Sequence, residues 1–356
     1  MPKVSIIMPV YNGEKYIDKS LGSLINQTLN DIEIICINDC STDNSLNILQ
    51  EYASKDSRIK IINSEINQGQ SLSKNIAIKQ AGGEFLMFLD QDDWYELNAC
   101  ELCYNQAIKN NNDIVMFDFN DYYIETNTFK KNNYRIDGLR EQINNPQIKL
   151  YELKHDFIRN GYAWCYCYKK DLIINNNILF PDINRFVDDV PFYINAIVNA
   201  NTISIIDIAL YNYRINPNSI TLTRPDLWYE HFQARKEGYN YIINSKHAKE
   251  FIYPYLIYCI RGITYWFERY DREKTKYQKE YYIRMHNMFN FINNNYNISS
   301  IKDYIQYKKF KRIVKEDWTK YQIRCFTKQI FSIINSYDGK HKVFTILGIK
   351  LSVKRK

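Results

Sequence analysis

The feature that most constrains this chain is an alternation, kept up through about its first 120 residues, between short β-branched runs and stretches of helical spacing. Apolar runs fall at Val4–Met8, Ile32–Ile37, Ile59–Ile62, Phe85–Leu89 and Ile114–Phe119. Between them Ile17, Leu21, Leu24 and Ile25, and then Leu46, Leu49, Tyr52 and Ala53, recur on one helical face. Strand and helix repeated in this way predict an α/β fold, with a mostly parallel, doubly wound sheet flanked by helices. Such sheets bind ligands at the carboxyl ends of their strands, so the residues directly after each run carry the functional information.

Pattern weakens over Asn120–Pro146, which reads as a polar loop excursion. It resumes as a helix over Ile148–Ile158, a strand over Trp164–Tyr168, a helix over Asp188–Val198 and one or two strands over Ile203–Arg214. From Pro225 to Asn335 the spacing is helical and aromatic, without strand alternation. We therefore expect a first domain over 1–222, a helical C-terminal extension over 223–340 and a basic, apolar tail over 341–356. The tail sets Val343, Thr345, Leu347, Ile349, Leu351 and Val353 on one side of an extended chain, which suits either a strand that completes the sheet or a membrane contact. Tyr253, Tyr255, Tyr258, Tyr265, Trp266 and Phe267 read as helical core or a contact between copies in a homo-oligomer, with a bilayer interface as the alternative.

Composition narrows the function classes. Hydrophobic residues make up 45% and charged residues 24% of the 356, a globular balance. The net charge of +7 comes from basic residues scattered among acidic ones, and no zinc-finger or RRM-type motif accompanies it, so no nucleic-acid partner is expected. No run reaches the roughly 18 to 20 apolar residues of a membrane-spanning helix. The opening Met1-Pro2-Lys3 leads straight into a strand pattern too short for a secretory h-region, which implies a cytoplasmic location, with peripheral contact at the inner membrane face through the C-terminal region as an option. The 8 cysteines are then expected as reduced, buried thiols, Cys100 and Cys103 lying within a helical pattern and lacking a second C-x2-C partner. His155, His231 and His247 show no ligand or triad spacing and read as surface residues.

Four loops follow four of the early strands: Pro9-Val10-Tyr11-Asn12-Gly13-Glu14, Asn38-Asp39-Cys40-Ser41-Thr42-Asp43, Asn67-Gln68-Gly69 leading to Ser73-Lys74-Asn75, and Asp90-Gln91-Asp92-Asp93. Three carboxylates within four residues repel one another unless a cation sits among them. Hard oxygen ligands suit Mg²⁺ or Mn²⁺ bridging a substrate diphosphate. An acidic surface turn without a metal is the alternative on these residues alone.

In order and spacing these loops resemble family 2 of the inverting glycosyltransferases, which adopt the GT-A fold, and the resemblance runs over residues 3–221. It implies that Asp39 accepts a hydrogen bond from the uracil imide of a UDP-sugar, that Pro9, Tyr11 and Glu14 wall the nucleoside site, and that Asn67 and Gly69 form the family's N-x-G turn. It further implies that Asp90 holds the ribose or a metal-bound water and that Asp92 ligates the divalent ion, with Asp93 read as a structural residue of the turn. The family has Arg where Lys74 stands; Lys supplies charge to a pyrophosphate without a bidentate fork. Capping of the helix that begins at Ser45 is the alternative for Asp39 and Asp43, and of the two Asp43 reads as the cap and Asp39 as the ligand contact.

The resemblance sets the general base in Phe186-Val187-Asp188-Asp189-Val190-Pro191-Phe192, similar to the family's E-D-x-x-F element with Asp in place of Glu. Asp189 would be the base and Asp188 would support or position the acceptor; capping of the following helix is the alternative for both. Leu210-Tyr211-Asn212-Tyr213-Arg214 and Asn218-Ser219-Ile220-Thr221 resemble the stretch that often follows, with Arg214 or Ser219 closing over the diphosphate. Trp164 reads as a sugar-pocket wall or as core. The Q-x-x-R-W element of processive relatives is absent, which favours a hexosyl- or N-acetylhexosaminyltransferase acting once or a few times on a glycan or lipid-linked glycan acceptor in surface-polysaccharide synthesis. A nucleotidyltransferase and a catalytically degenerate sugar-nucleotide-binding scaffold are the competing readings. The first lacks its Gly-rich phosphate loop after the first strand, and joint retention of Asp39, Asp90, Asp92 and Asp189 argues against the second.

Overall fold

The computed structural model describes residues 1–132, 148–149, 162–182, 187–216, 227–272, 276–335, 341–346 and 349–354. Contacts divide the chain into two compact units, Met1–Tyr258 and Cys259–Lys356.

The first unit is built on a mixed sheet. Strands β1 (Val4–Val10), β2 (Ile32–Asn38), β3 (Ile59–Asn63) and β4 (Phe85–Phe88) run parallel in the order β3-β2-β1-β4. Helices α1 (Ile17–Ile25), α2 (Ser45–Lys55) and α3 (Gln70–Gln80) connect them. Every residue of β2 is buried, as are Val4, Ile6, Ile7, Met8 and Val10 of β1. Strands covered on both faces need continuous apolar runs rather than alternation, which is how these segments read. Beyond β4 the sheet turns antiparallel through β9 (Tyr166–Lys169), which pairs with β4 and with β6 (Ile114–Tyr123). The 14-residue β10 (Thr202–Ile215) runs parallel to β6 and antiparallel to the short β5 (Trp94–Tyr95). Two register shifts in β10, on either side of Ala209, bend it where it passes the acidic turn.

Where a loop was expected after Asn120, β6 continues to Tyr123 and folds back as β7 (Thr128–Asn132). The hairpin has an apolar reason: Trp94, Tyr122 and Phe129 meet ring to ring, at 5.0 Å for Trp94–Tyr122 and 6.1 Å for Trp94–Phe129. Trp164 belongs to a 3-10 turn, Ala163–Cys165, and only Tyr166–Lys169 is strand. Of the helix expected over 148–158, Ile148–Lys149 form a two-residue strand, β8, against β10 and the rest lies outside the described residues, as do Phe186 and Asn218–Thr221. Helices α4 (Ala99–Asn110) and α5 (Lys170–Asn175) pack on the sheet, and α6 (Asp189–Asn199) packs on α7 (Glu230–Ile243).

His231 corrects the surface expectation. It lies in α7 at 3% exposure, with burial and then the Arg235 charge holding its ring well below the usual histidine range, so it is neutral. Cys36, Cys100, Cys103, Cys165, Cys167 and Cys259 are buried thiols outside any disulfide, whereas Cys40 and Cys325 are only half-buried, and burial lifts Cys36 to about 12, which makes it inert as a nucleophile. Tyr255 is fully buried in this unit and donates its hydroxyl to the Arg235 carbonyl at 2.8 Å, a core role rather than a bilayer one.

Helix α8 (Ala248–Arg272) carries the boundary between units. The second unit contains α9 (Gln278–Asn295), α10 (Tyr307–Lys315) and α11 (Trp318–Ile330), with Phe267, Tyr281, Tyr282, Phe289 and Phe310 buried. The expected all-helical stretch ends sooner than its pattern suggested, because Phe331–Asn335 is strand β11. It pairs with β12 (His341–Ile346), which pairs with β13 (Ile349–Lys354). The extended tail thus completes a separate three-stranded sheet, not the large one. Among the described residues no helix is long and apolar enough to cross a membrane.

Candidate active site

The strand order places the site before any side chain is considered. Strand β1 lies between β2 and β4, and the chain leaves it in opposite directions, first to β2 and β3 and later to β4. At such a switch point the loops diverge and leave a crevice at the carboxyl ends. The loops after β1, β2, β3 and β4 all open at that edge, since the four strands are parallel.

The loops after β1 and β2 are laced together. Asn12 and Cys40 sit at φ 50° and 60°, the left-handed region that side chains rarely adopt. The Asn12 amide donates to Ser41 Oγ at 3.0 Å while its side-chain oxygen accepts from the Thr42 amide at 2.8 Å. Gly13 N–H donates to Ser45 Oγ, and Glu14 N–H to Asp43. Asp43 also accepts the Ser45 amide at 3.0 Å, so it does cap α2, from one residue before the helix boundary at Asn44. Although partial burial opposes it, bonding from Ser45 and Glu14 holds Asp43 below the usual carboxylate range. The Glu14 carboxylate accepts the Asn44 amide at 3.0 Å, so its contact here is with the start of α2.

Asp39, at 3% exposure, accepts the Gln68 and Gly69 amides at 2.8 Å each. It therefore builds the Asn67-Gln68-Gly69 turn from the residue after β2. Gly69 has φ +84°, which explains glycine at that position: a side chain there would be strained. Asn67 is exposed at the head of the turn and Pro9 is half-buried at the end of β1.

Lys74 is 2% exposed, on α3. Its ammonium lies 3.2 Å from Asp188, 3.3 Å from Asp189 and 4.6 Å from the centre of the Phe180 ring. Phe180 stacks on Phe192 at 3.9 Å, and Phe88 meets both edge-on, so the cation stands on an aromatic floor. Asp188 also accepts from Gln70 Nε2 at 2.8 Å and Ser71 Oγ at 3.2 Å, and makes no side-chain cap bond to α6. Its oxygens are turned to α3 and not to the start of α6. Burial pushes the Lys74 ammonium down, but the charges of Asp188, Asp189 and Asp90 override this and hold its proton above the usual range. Burial raises Asp189 to about 6, Lys74 opposing and Asp188 adding. The ammonium, at the position where the resembling pattern has arginine, is here ion-paired with the two carboxylates.

In the acidic turn the aspartates differ. Asp93 is 1% exposed and accepts Tyr211 Oη at 2.7 Å and the Arg214 amide at 2.6 Å, so it fixes the turn to β10. Asp90 and Asp92 are half-buried. Burial raises Asp90 to about 7, with Lys74 opposing and Asp189, Asp92 and Asp188 adding. Burial also raises Asp92, opposed by its own backbone and by Arg214. Arg214 donates Nε–H to the Asp92 carbonyl at 2.6 Å, its guanidinium held 5.0, 5.2 and 5.6 Å from the rings of Trp94, Tyr16 and Tyr122.

Among the described residues no three His, Cys, Asp or Glu side chains gather to hold a metal ion. Mg²⁺ and Mn²⁺ at diphosphate sites need only one or two carboxylates beside substrate oxygens and water. Two neighbouring carboxyls, both raised by burial and Asp90 also by the charge of Asp92, fit that demand. Trp164 is core: it is 3% exposed and stacked on Tyr211 at 4.1 Å, while Tyr162, 41% exposed, also stacks on it at 4.8 Å. Sequence reasoning missed Tyr162, Gln70, Ser71, Gln91 and the Tyr16–Trp94–Tyr122 box. For Gln70 and Ser71 a signal existed, since they form the first turn of the helix after an N-x-G turn. The others are joined only by folding.

Comparison with known proteins agrees with this geometry. The model for "Glycosyl transferase family 2" matches residues 5–171. EpsJ of Bacillus subtilis, an uncharacterized glycosyltransferase, is 36% identical over 225 residues, 62% of this chain and 63% of the relative. TarS of Staphylococcus aureus, a poly(ribitol-phosphate) β-N-acetylglucosaminyltransferase, is 30% identical over 219 residues, 60% of this chain and 35% of that protein. The matched segment thus spans less than two thirds of the length of either relative. The crystal structure of S. aureus TarS 1–349 in complex with UDP-GlcNAc superposes with a TM-score of 0.72 at 22% identity, covering 99% of both chains, a likeness of fold. Residues 5–171 of this chain match a glycosyl transferase family 2 domain, and the fold is GT-A.

Proposed function

We propose that the protein transfers a sugar, with inversion, from a UDP-sugar to a hydroxyl of a glycan or lipid-linked glycan. The observation that carries this reading is the shared cluster of Asp189, Asp188, Lys74 and Asp90, in which a carboxyl raised to about 6 lies within electrostatic reach of the acidic turn. A UDP donor is supported by buried Asp39 beside the Gly69 turn and by the UDP-GlcNAc complex of TarS. Asp92 and Asp90 would hold Mn²⁺ or Mg²⁺, which when bound offsets the negative charge of the leaving diphosphate. Asp189 takes the proton of the acceptor hydroxyl while the hydroxyl oxygen bonds to the anomeric carbon. The bond from that carbon to the diphosphate oxygen breaks, and UDP leaves with the electron pair. Lys74 and Asp188 hold Asp189 in place, and Arg214 braces the acidic turn from behind.

Nucleotide release from a panel of nucleotide-sugars with Mn²⁺, with and without glycan acceptors, tests the reading. We expect release from a UDP-sugar, reduced at least about a hundredfold in Asp92→Ala. Equal release by the variant would remove the metal-turn assignment, and tight binding without turnover would favour the scaffold.

The second unit supports an anionic partner. Helix α10 buries Phe310 and Ile313 inward and exposes Lys308, Arg312 and Lys315. A helix that inserts in a bilayer keeps its apolar face outward, so this one offers charge alone. Binding to vesicles containing anionic lipid should fall steeply with added salt and in Lys308→Glu/Arg312→Glu. Salt-insensitive binding would rule this out.

A further inference from the structure

We propose that Gln91, the residue between Asp90 and Asp92, is a positioning residue that clips the nucleoside loop to the metal turn, so that the two halves of the donor site are set relative to each other before the donor arrives. The inference rests on the donor site proposed above and adds to it a part that neither the acidic turn nor the nucleoside loop supplies.

The geometry is a two-point amide pair. Gln91 Oε1 accepts the Tyr11 amide at 2.8 Å, and Gln91 Nε2 donates to the Tyr11 carbonyl at 3.0 Å. One side chain thus engages both backbone groups of Tyr11, much as a neighbouring strand would. Tyr11 needs such a partner, because it lies beyond the end of β1, is 46% exposed and precedes Asn12 at φ 50°. Gly13 makes the room: a Cβ built there would run into the Gln91 carboxamide. Glycine at this position, where φ is not in the left-handed region, is thereby explained by close approach rather than by backbone freedom. Asn at position 91 would fall one methylene short, and Glu would set an acceptor against the Tyr11 carbonyl.

A ligand that touches two loops gains from both only when the loops already stand at the right separation. Tyr11 belongs to the nucleoside side and Asp92 to the diphosphate side, and Gln91 ties the one to the other. Its contribution therefore falls on ligands that span the two, UDP and the UDP-sugar, and spares uridine.

The test has two arms. In ligand-free protein, hydrogen exchange of the peptide containing Tyr11 should quicken about tenfold or more in Gln91→Ala and in Gln91→Asn, since the Tyr11 amide loses its acceptor. Unchanged exchange overturns the clip whatever the protein binds. With Mn²⁺ present, UDP should bind about ten- to thirtyfold more weakly to Gln91→Ala, about what two lost hydrogen bonds account for, while uridine changes less than threefold. Donor KM should rise with kcat within a few-fold. Equal weakening of uridine and UDP would mean that Gln91 supports the nucleoside loop alone, and a fall in kcat at unchanged KM would also overturn the proposal. If exchange quickens as expected but wild type binds no UDP, the clip stands as a structural tie, its proposed effect on donor binding fails, and the donor reading fails with it.

Discussion

Asp189→Asn is expected to lower sugar transfer by about 10²- to 10⁴-fold, the usual worth of a positioned base, while UDP affinity stays within about threefold. The amide keeps the shape of the carboxylate but cannot take a proton. The fold should survive, because Lys74 retains its ion pair with Asp188 at 3.2 Å. The wild-type pH profile gives an independent check. With Asp189 raised to about 6, kcat/KM should climb about tenfold per pH unit below that value and level off above it. Stability runs the other way through the same window. A carboxyl whose folded value lies above its unfolded one contributes stability below the unfolded value and loses it as pH rises through the folded value. Wild type is thus destabilised by charging Asp189 over roughly pH 4 to 6, where it becomes active. A profile flat from pH 5 to 8, or an Asn variant with near-wild-type turnover, would sink the base assignment.

Lys74→Met is expected to cost about 3–5 kcal/mol of folding stability, because it leaves Asp188 and Asp189 buried without their cation. Urea denaturation at pH 7 reads this directly. In whatever fraction folds, Asp189 should titrate higher, which moves the rising limb of the pH profile upward by about a unit or more. Lys74→Arg restores the charge in a longer, planar form and should recover most of the stability, with the limb back near its original position. If the methionine variant matches wild type in both midpoint and profile, the ion pair has no role in holding the base. If the stability falls and the profile does not move, Lys74 is structural only.

These two expectations rest on residues of unequal legibility. Asp189 was marked out as the candidate base by an element that keeps the order Asp-Asp-Val-Pro-Phe before a helical pattern, even with Asp in place of Glu at 188. The partnership of Lys74 with that pair was not. It joins α3 to the start of α6 across 114 and 115 residues, and a lone lysine on a helix gives no sign of which carboxylate will face it. Asp93 shows the same limit. Its turn drew attention to metal binding with Asp93 read as the structural member, but the partners that take up its oxygens, Tyr211 and Arg214, lie some 120 residues later, where no local pattern names them. Trp164 needed the fold as well. Its aromatic neighbours Tyr211 and Tyr213 come from β10, and stacking on them withdraws it from solvent.

By itself the sequence determined the parallel half of the sheet, the loops at its carboxyl edge and the family resemblance. Those depend on local patterns: apolar runs long enough for a buried strand, helical spacing between them, and turn residues in order. The antiparallel insertion of β9, the β6–β7 hairpin, the tail's separate sheet and burial of His231 were decided only by tertiary structure. Each is a choice of partner for a segment whose own pattern allows several. The charge states of the site belong to that second group. Asp90 and Asp189 are ordinary aspartates in sequence, and it is their burial in one cluster, with a single lysine opposing the charges of Asp188 and Asp92, that lifts them to about 7 and about 6.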